Sequence, residues 1–328
     1  MKFNTTYSSK QTQLQTLRDL SDIKSDILKF MNSRYKLISV DAPLFFEEGS
    51  DLLIDAKQVT RKVTFDFGDD YRTGVMVLSN TNWMRKMISK NKFRVNDGIY
   101  SDAAFMWRDL EENPTTSSVK RELAFQFISS ESSQSFINTL TQDVYEFIVS
   151  LATKYAKKYD FRNIYPYFAE YISAQQLENE MPNNPFKTRE IEYINDKNAF
   201  IFRNPGDKLF SGNVHTFIHP SLYELKKYNQ ILLKDRVNLD VLKVASIGVV
   251  ATGKELEDQL NKHNLQNYFE SKFFNSQIKE KRKIVEIKFN IPRLAMALLW
   301  KGHIGEVQAG VSNAETNSIK NRYGVKII

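Results

Sequence analysis

The stretch KRKIVEIKFNIPRLAMALLWKGHIGEVQAGV, residues 281–311, decides the fold. In its first part, Glu286 and Lys288 alternate with Val285, Ile287 and Phe289. An alternation with a period of two residues is typical of a strand that has one buried face. The sequence therefore predicts a strand that ends close to residue 290.

A short apolar helix is predicted directly after this strand. Pro292 suits the first turn of a helix, because its missing N–H group has no partner to lose there. Residues 294–300 are apolar on every side, so we expect the helix to lie inside the core. Gly302 follows, where a left-handed cap costs a glycine least. Arg293 is then a permanent cation on the first turn of a buried helix.

The composition allows one large domain with a packed core, because the chain has 328 residues of which 41% are hydrophobic and 26% are charged. The absence of cysteine excludes disulfides, thiolate metal sites and cysteine nucleophiles. Residues 1–15 lack an apolar signal-peptide core, and the longest apolar run covers only residues 294–300. We therefore expect neither export nor membrane insertion, and a cytoplasmic location.

The formal net charge of +7 raises the question of nucleic-acid binding. Lysines are spread along the chain, with local runs at residues 154–162 and 279–283. One interpretation is a solvated basic surface, and the other is a surface that attracts phosphate groups. No basic stripe interleaved with aromatic residues is present, so any binding of nucleic acid is expected to be weak and nonspecific.

The motif HIGEVQAGV at residues 303–311, preceded by Arg293-Leu294 and an apolar helix, resembles the C-terminal motif of asparagine synthetase A, the family of AMP-forming aspartate–ammonia ligases. The resemblance implies an α+β fold like the core of class II aminoacyl-tRNA synthetases, with an antiparallel sheet flanked by helices. It implies a single domain over residues 1–328, with a helical sub-lobe at residues 130–205. It also implies that Arg293 corresponds to an arginine that contacts ATP phosphates.

A helix and a strand near the N-terminus match the first motif of that family. Residues 11–35 carry apolar side chains at helical spacing and lead into the strand KLISVDAPLFF, which has Pro43 near its end. In the resembled family this unit forms the homodimer interface, so a homodimer through residues 15–45 is expected. The residues themselves are also compatible with a helix and an edge strand that need no dimer.

Several positions of the family's active site hold other residues here. In our alignment the catalytic lysine falls on Asn82, and the nucleotide-binding arginine falls on Trp107, with Arg108 one place later. A glutamine and an aspartate that face the substrate fall on Leu123 and Phe125, which predicts an apolar pocket floor. These substitutions remove charged and polar groups from the expected site.

The second half of the chain departs from the family in the same way. The metal-binding glutamate falls on Lys243, and the substrate-binding arginine falls on Val250. The glycine-rich turn of the family is replaced by residues 286–290, so side chains stand where backbone would lie bare beside a nucleotide. An ammonium in place of a carboxylate ligand should repel Mg²⁺. Three residues that match the family form what remains of a nucleotide cleft: Arg108, Ser246 and Arg293.

Two local arrangements of the remaining charges are open. Lys243 and Arg293 would form a small anion site, or Lys243 would pair with a carboxylate such as Asp240 or Glu286. A pair of histidines at positions 215 and 219 has the spacing of metal ligands on a helix, but the sequence shows no third ligand nearby, so no metal is expected.

Activation of the aspartate side chain as an acyl-adenylate requires cations around the phosphate and carboxylates around the metal. The joint replacement of these groups favours a non-catalytic binding or regulatory homologue, a pseudoenzyme. The alternative hypothesis is a divergent but active aspartate–ammonia ligase, and only this alternative requires ATP and Mg²⁺ as cofactors. A third hypothesis is a basic nucleic-acid-binding module on the same scaffold.

Overall fold

The computed structural model describes residues 3–57, 59–68, 71–310, 318–319, 322–323 and 325–328. Eleven strands lie in these ranges: β1 Lys36–Ser39, β2 Phe45–Glu47, β3 Thr64–Asp66, β4 Thr73–Met76, β5 Asp97–Met106, β6 Val119–Ser129, β7 Glu170–Ser173, β8 Ala199–Arg203, β9 Tyr223–Asp235, β10 Asp240–Val250 and β11 Lys283–Asn290. The α-helices described are α1 Gln13–Asn32, α2 Thr81–Lys90, α3 Gln134–Tyr159, α4 Ala174–Glu180, α5 Phe186–Lys197, α6 Gly253–Lys262, α7 Lys272–Ile278 and α8 Ile291–Leu299.

One eight-stranded sheet organises the molecule, with the strand order β1-β5-β6-β11-β10-β9-β8-β7. The six central strands pair antiparallel, whereas β1 pairs with β5 and β7 pairs with β8 in parallel. Strands β7 and β8, which belong to the segment expected to form a sub-lobe, lie at one edge of this same sheet. The prediction of an α+β fold with an antiparallel sheet flanked by helices is confirmed.

Helix α8 is buried as predicted. The Asn290 side chain caps it by accepting a hydrogen bond from the backbone N–H of Arg293 at 3.1 Å, and Pro292 lies in its first turn. Every residue of α8 except Arg293 is buried. Strand β11 differs from the prediction, because both of its faces are buried at the centre of the sheet, including Glu286.

The end of α8 also differs from the prediction. Trp300, with φ of 53°, adopts the left-handed conformation that the sequence predicts for Gly302. Gly302 is needed for a different reason, since a Cβ at this position would lie 2.6 Å from the ring of Tyr7. The glycine thus lets the N-terminal segment pack against the predicted motif at residues 303–311, of which Val311 lies outside the described residues.

Helices α1, α3 and α8 cover one face of the sheet. Their apolar side chains join those of the central strands in the largest core cluster, which contains Ile27, Val144 and Leu298. On the other face, α2 packs through Met84 and Ile88. This second face is only partly covered, and the uncovered part forms a cavity.

A separate three-stranded sheet has the order β2-β4-β3. Strands β3 and β4 pair antiparallel. Strand β1 ends at Ser39, so Pro43 follows the strand and lies outside it, which corrects the predicted boundary. Within the described ranges, no helix combines the length and the apolar character needed to cross a membrane.

Candidate functional site

A cavity of about 510 Å³ lies beside strands β6, β10 and β11. Its volume falls in the range of about 300–1,000 Å³ that is typical of small-molecule sites. Charged side chains dominate its polar lining: Lys120, Lys187, Lys243, Lys288 and Arg293, together with Glu122, Glu190 and Asp240. Cations therefore outnumber carboxylates in the lining of this cavity.

Each of the three carboxylates that line the cavity is bonded to a lysine. The Nζ atom of Lys243 lies 3.0 Å from Glu190 Oε1. The Nζ atom of Lys187 lies 3.3 Å from Asp240 Oδ2. A third pair joins the Lys288 ammonium to Glu122 at 3.5 Å. No lining carboxylate is thus left without a lysine partner.

Two of the lining cations, Lys120 and Arg293, have no carboxylate within 4.0 Å in the part of the chain that the structure describes. The Lys120 Nζ lies over the ring of Trp107, 3.4 Å from its centroid. Arg293 donates from Nε to the Thr115 carbonyl at 3.2 Å and from Nη2 to Thr116 Oγ1 at 3.0 Å. Burial lowers the pKa of Lys120 to about 8, an effect that Glu122 opposes and the charge of Arg293 adds to. Burial also lowers the pKa of Arg293, against the opposing charges of Asp240 and Glu190.

A buried polar network on strand β11 lies beside the cavity, and two of its members, Tyr223 and Lys288, line the cavity. Glu286 accepts hydrogen bonds from the Tyr223 hydroxyl, from Thr81 Oγ1 at 3.0 Å and from Gln126 Nε2 at 2.7 Å. Lys288 lies 3.4 Å from Glu286 and donates to Thr81 Oγ1 at 2.9 Å. Burial acts to lower the pKa of Lys288, but Glu286 and Tyr223 raise it well above its ordinary value. Lys288 is therefore a charged group held by a buried carboxylate.

Leu123 and Phe125 do not form the floor of the cavity, which corrects the prediction. Both are buried in the core on the side of α3 and α8, and the Phe125 ring contacts Phe289 edge to face. Side chains alternate along a strand, so Glu122 and Lys120 face the cavity instead. An alignment that is displaced by one residue along a strand assigns every side chain to the opposite face of the sheet.

The other positions of the first half are also placed by the structure. Trp107 lines the cavity, whereas Arg108 is exposed and takes no part in the lining. Asn82 is fully buried on α2 and accepts a hydrogen bond from Nη2 of Arg85 at 2.8 Å. Arg85 is itself buried and donates to the carbonyl groups of residues 221 and 251. Asn82 therefore supports a structural arginine and does not reach the cavity.

In the second half, Lys243 pairs with a carboxylate, as one of the two expected arrangements has it, but the partner is Glu190 and not Asp240 or Glu286. Asp240 Oδ2 contacts the Lys187 ammonium and accepts a hydrogen bond from the Thr115 hydroxyl, whereas the buried Oδ1 atom has no hydrogen-bond partner among the described residues. Ser246 lines the cavity as the alignment predicted, and Val250 is buried in the apolar cluster around α2.

The two histidines contact different neighbours. His215 Nδ1 lies 3.7 Å from Glu190 Oε1, whereas His219 Nδ1 accepts the backbone N–H of Ser221 and its Nε2 contacts the Tyr268 hydroxyl at 3.1 Å. Burial lowers the pKa of both imidazoles to about 4. Over the described ranges, no three His, Cys, Asp or Glu residues are grouped in a way that could hold a metal ion.

Lys120 and Glu190 belong to the site but were not among the candidates from the sequence. Lys120 is one of many lysines, and only the register of β6 shows that it faces the cavity. Glu190 lies on α5, far from its partner in sequence, so no local pattern could have paired them.

Comparisons with known proteins agree with the geometry of the fold. The family model described as aspartate–ammonia ligase matches residues 14–323. The aspartate–ammonia ligase of Malacoplasma penetrans (strain HF-2) is 26% identical over 324 residues, which cover 94% of this chain and 98% of that protein. The aspartate–ammonia ligase of Bacillus cereus (strain G9842) is 26% identical over 310 residues, covering 93% and 94% of the two chains.

Solved structures with a similar fold are class II aminoacyl-tRNA synthetases. The asparaginyl-tRNA synthetase of Entamoeba histolytica in complex with asparaginyl-adenylate matches with a TM-score of 0.63 and 11% identity, over 90% of this chain and 66% of that one. The asparaginyl-tRNA synthetase of Pyrococcus horikoshii, also with asparaginyl-adenylate, matches with a TM-score of 0.61 and 9% identity, over 90% and 68% of the two chains. At these identities the likeness concerns the fold alone.

Proposed function

The chain belongs to the aspartate–ammonia ligase family, and from this premise we propose that it is a non-catalytic member that binds a ligand in the cavity without making asparagine. Formation of an aspartyl-adenylate needs free carboxylates to hold a metal ion and free cations to neutralise the transferred phosphate. Of these two kinds of group, the cavity offers only the cations without an ion-pair partner.

One observation carries this proposal: all three lining carboxylates are already bonded to lysines. A Mg²⁺ ion is bound through carboxylates and phosphate oxygens, and it accepts little departure from octahedral geometry. At the position where the resemblance implies a metal-binding glutamate, Lys243 places an ammonium 3.0 Å from Glu190. Mg²⁺ therefore does not fit the residues present, and we derive no reaction step through it.

The polar network on β11 supports the same conclusion. Where the resemblance implies bare glycine backbone beside the nucleotide, β11 carries the side chains of Glu286 and Lys288, which belong to a network of buried hydrogen bonds. Displacing this network would leave Glu286, which is 1% exposed, without the partners that hold its charge. An uncompensated buried charge costs about 3–5 kcal/mol. A nucleotide would bind as in the resembled family only if its own binding free energy offset this cost.

The alternative, a divergent active ligase, is favoured by one specific feature. Arg293 keeps the position of the phosphate-contacting arginine implied by the resemblance, and no carboxylate among the described residues lies within 4.0 Å of it, although Asp240 and Glu190 favour its charged form from farther away. Aspartate-dependent exchange of pyrophosphate into ATP, measured with and without Mg²⁺, separates the two functions. We expect no exchange above a control without protein. Exchange that requires Arg293 would establish the ligase instead.

We further propose that the protein acts as a homodimer in the cytoplasm. Four apolar side chains within residues 14–44 are 46–59% exposed, and they extend over α1, β1 and the segment after β1: Leu14, Leu17, Ile38 and Leu44. A symmetric interface between two copies would cover these side chains.

A further inference from the structure

The geometry points to a second binding site, separate from the cavity, for the phosphate backbone of double-helical nucleic acid. The site is an open groove of about 750 Å³ between helices α2 and α7, called here the α2–α7 groove. It shares no lining residue with the cavity, so binding there would not depend on the function proposed for the cavity. Four lysines line the groove: Lys86, Lys90, Lys272 and Lys279.

Helices α2 and α7 are held side by side by buried contacts. The Ser89 hydroxyl of α2 donates to Gln277 Oε1 of α7 at 3.1 Å. The buried guanidinium of Arg85 lies over the rings of Phe273 and Phe274, 5.1 Å and 5.5 Å from their centroids. Because these contacts fix one helix against the other, the lysines of both helices are already in place before a ligand binds.

The lysines are spread along both sides of the groove. Lys86 and Lys90 are four residues apart on α2, so they lie on the same face one turn apart. Lys272 begins α7 and Lys279 is its C-terminal cap, which separates them by about 10 Å along the helix axis. Lys86 is half-buried and the other three are exposed. Cations distributed in this way suit a ligand with many separate charges, since each ammonium can contact a different phosphate.

The four ammonium groups form no ion pair in the part of the chain that the structure describes. Lysines elsewhere, such as Lys24 and Lys197, are bonded to carboxylates. Two carboxylates line the groove: Glu280 is bonded to Arg282 at 2.7 Å, and Asp51 is exposed. The lysines therefore repel one another within a screening length of about 8–10 Å, and a bound polyanion would relieve this repulsion.

The lining favours a duplex backbone over other polyanions. The apolar lining residues Leu52 and Phe273 are only 5% and 6% exposed. The groove therefore offers neither the apolar pockets that anchor a peptide nor the exposed aromatic rings on which single-stranded bases stack. A duplex keeps its bases stacked on one another and presents phosphates, which lysines neutralise as point charges. Contacts to the backbone alone carry no sequence information, so we expect nonspecific binding.

The test is fluorescence anisotropy of a short labelled DNA duplex, titrated with the full chain between about 50 and about 200 mM salt. Four lysine–phosphate contacts predict a slope of about −3.6 for the logarithm of the binding constant against the logarithm of salt concentration. The triple variant Lys90→Gln/Lys272→Gln/Lys279→Gln should bring this slope to about −1. It should also weaken binding at about 50 mM salt by more than tenfold.

A matched control removes the same charge at other places. Lys157, Lys208 and Lys226 are exposed, and none of them lines the groove. Their joint replacement by glutamine lowers the net charge as much as the groove variant does, yet it should leave the slope within about 0.5 of the original value. All the replaced lysines are exposed, so both variants should fold, and circular dichroism checks this.

Three results with the duplex would overturn the inference: no binding at about 50 mM salt, an unchanged slope in the groove variant, or an equal loss of binding in the control variant. Three competitors test other occupants of the groove: an acidic peptide, single-stranded DNA and inorganic polyphosphate. Each should bind more weakly than the duplex at equal total charge. Tighter binding of any of them would assign the groove to that ligand and refute the duplex site.

Discussion

Replacement of Lys243 by glutamate tests whether this lysine neutralises Glu190. The Lys243 ammonium lies 3.0 Å from Glu190 Oε1 and donates to Thr216 Oγ1 at 3.3 Å, with side-chain exposures of 28% for Lys243 and 8% for Glu190. The substitution restores the residue type that the family resemblance implies at this position. It also places two carboxylates side by side, so we expect it to destabilise the protein and not to restore ligase activity.

The magnitude follows from two contributions. Loss of the ion pair costs about 2 kcal/mol, between the values for exposed and for buried pairs. Two carboxylates about 5 Å apart repel by about 3 kcal/mol at an effective dielectric constant of about 20. Because Lys243 is partly exposed, solvent screening reduces the repulsion to about 2 kcal/mol. We therefore expect Lys243→Glu to lower the free energy of unfolding by about 4 kcal/mol and Lys243→Gln by about 2 kcal/mol.

The difference between the two variants should depend on pH. In Lys243→Glu the neighbouring carboxylates raise one another's pKa above the value of about 4.3 expected in the unfolded chain. A carboxyl group with a raised folded-state pKa costs stability above that pKa, and the cost disappears as the pH falls below the unfolded value. Urea unfolding at neutral pH and near pH 4 measures this difference. Equal stabilities of Lys243→Glu and Lys243→Gln at neutral pH would refute the pairing with Glu190.

Other consequences can be measured independently. Leu123→Ala should lower the free energy of unfolding by about 3 kcal/mol, because Leu123 lies in the core. Glu122→Gln should lower it by about 1 kcal/mol or less, because Lys288 keeps its second partner, Glu286. Equal costs of the two variants in urea unfolding would contradict the observed register of β6. Burial lowers the pKa of His219 to about 4, below its unfolded value of about 6.5, so its contribution to stability is complete above pH 6.5 and is lost as the pH falls toward 4. His219→Gln should reduce the slope of unfolding free energy against pH in that window by up to about 1.4 kcal/mol per pH unit, and an unchanged slope would show that this imidazole is not buried in its neutral form. Light scattering should give twice the subunit mass of 38.2 kDa, and Ile38→Asp should give a monomer; a monomeric unmodified protein would rule out the dimer.

The fold was accessible from the sequence where local patterns and packing agree. The apolar run of α8, with Pro292 in its first turn, predicts a buried helix because no face of it suits water. Elements of this kind carry their own boundary signals, and the resemblance then supplied their arrangement in a sheet.

The site was less accessible, because it depends on strand register and on contacts between distant segments. Along β6 the choice between Glu122 and Leu123 as the cavity residue rests on a single register, and a shift of one residue inverts the conclusion. The pairing of Lys243 with Glu190 joins β10 to α5 across the sheet. Neither the register of β6 nor the Lys243–Glu190 pair can be recognised from a local sequence pattern. The sequence left open whether Lys243 forms an anion site with Arg293 or pairs with a carboxylate, and in the structure it pairs with Glu190.

The central claim is that the cavity no longer supports ATP-dependent activation of aspartate. The most direct measurement is asparagine formation from aspartate, ammonia and ATP with Mg²⁺, alongside Arg293→Ala and a control without protein. Removal of one group that stabilises a transition state reduces the rate by a factor of about 10² or more, and several missing groups should leave no measurable turnover. We expect asparagine at the level of the control in both proteins. Turnover above the control that Arg293→Ala abolishes would show that the site is catalytically active and would contradict the account.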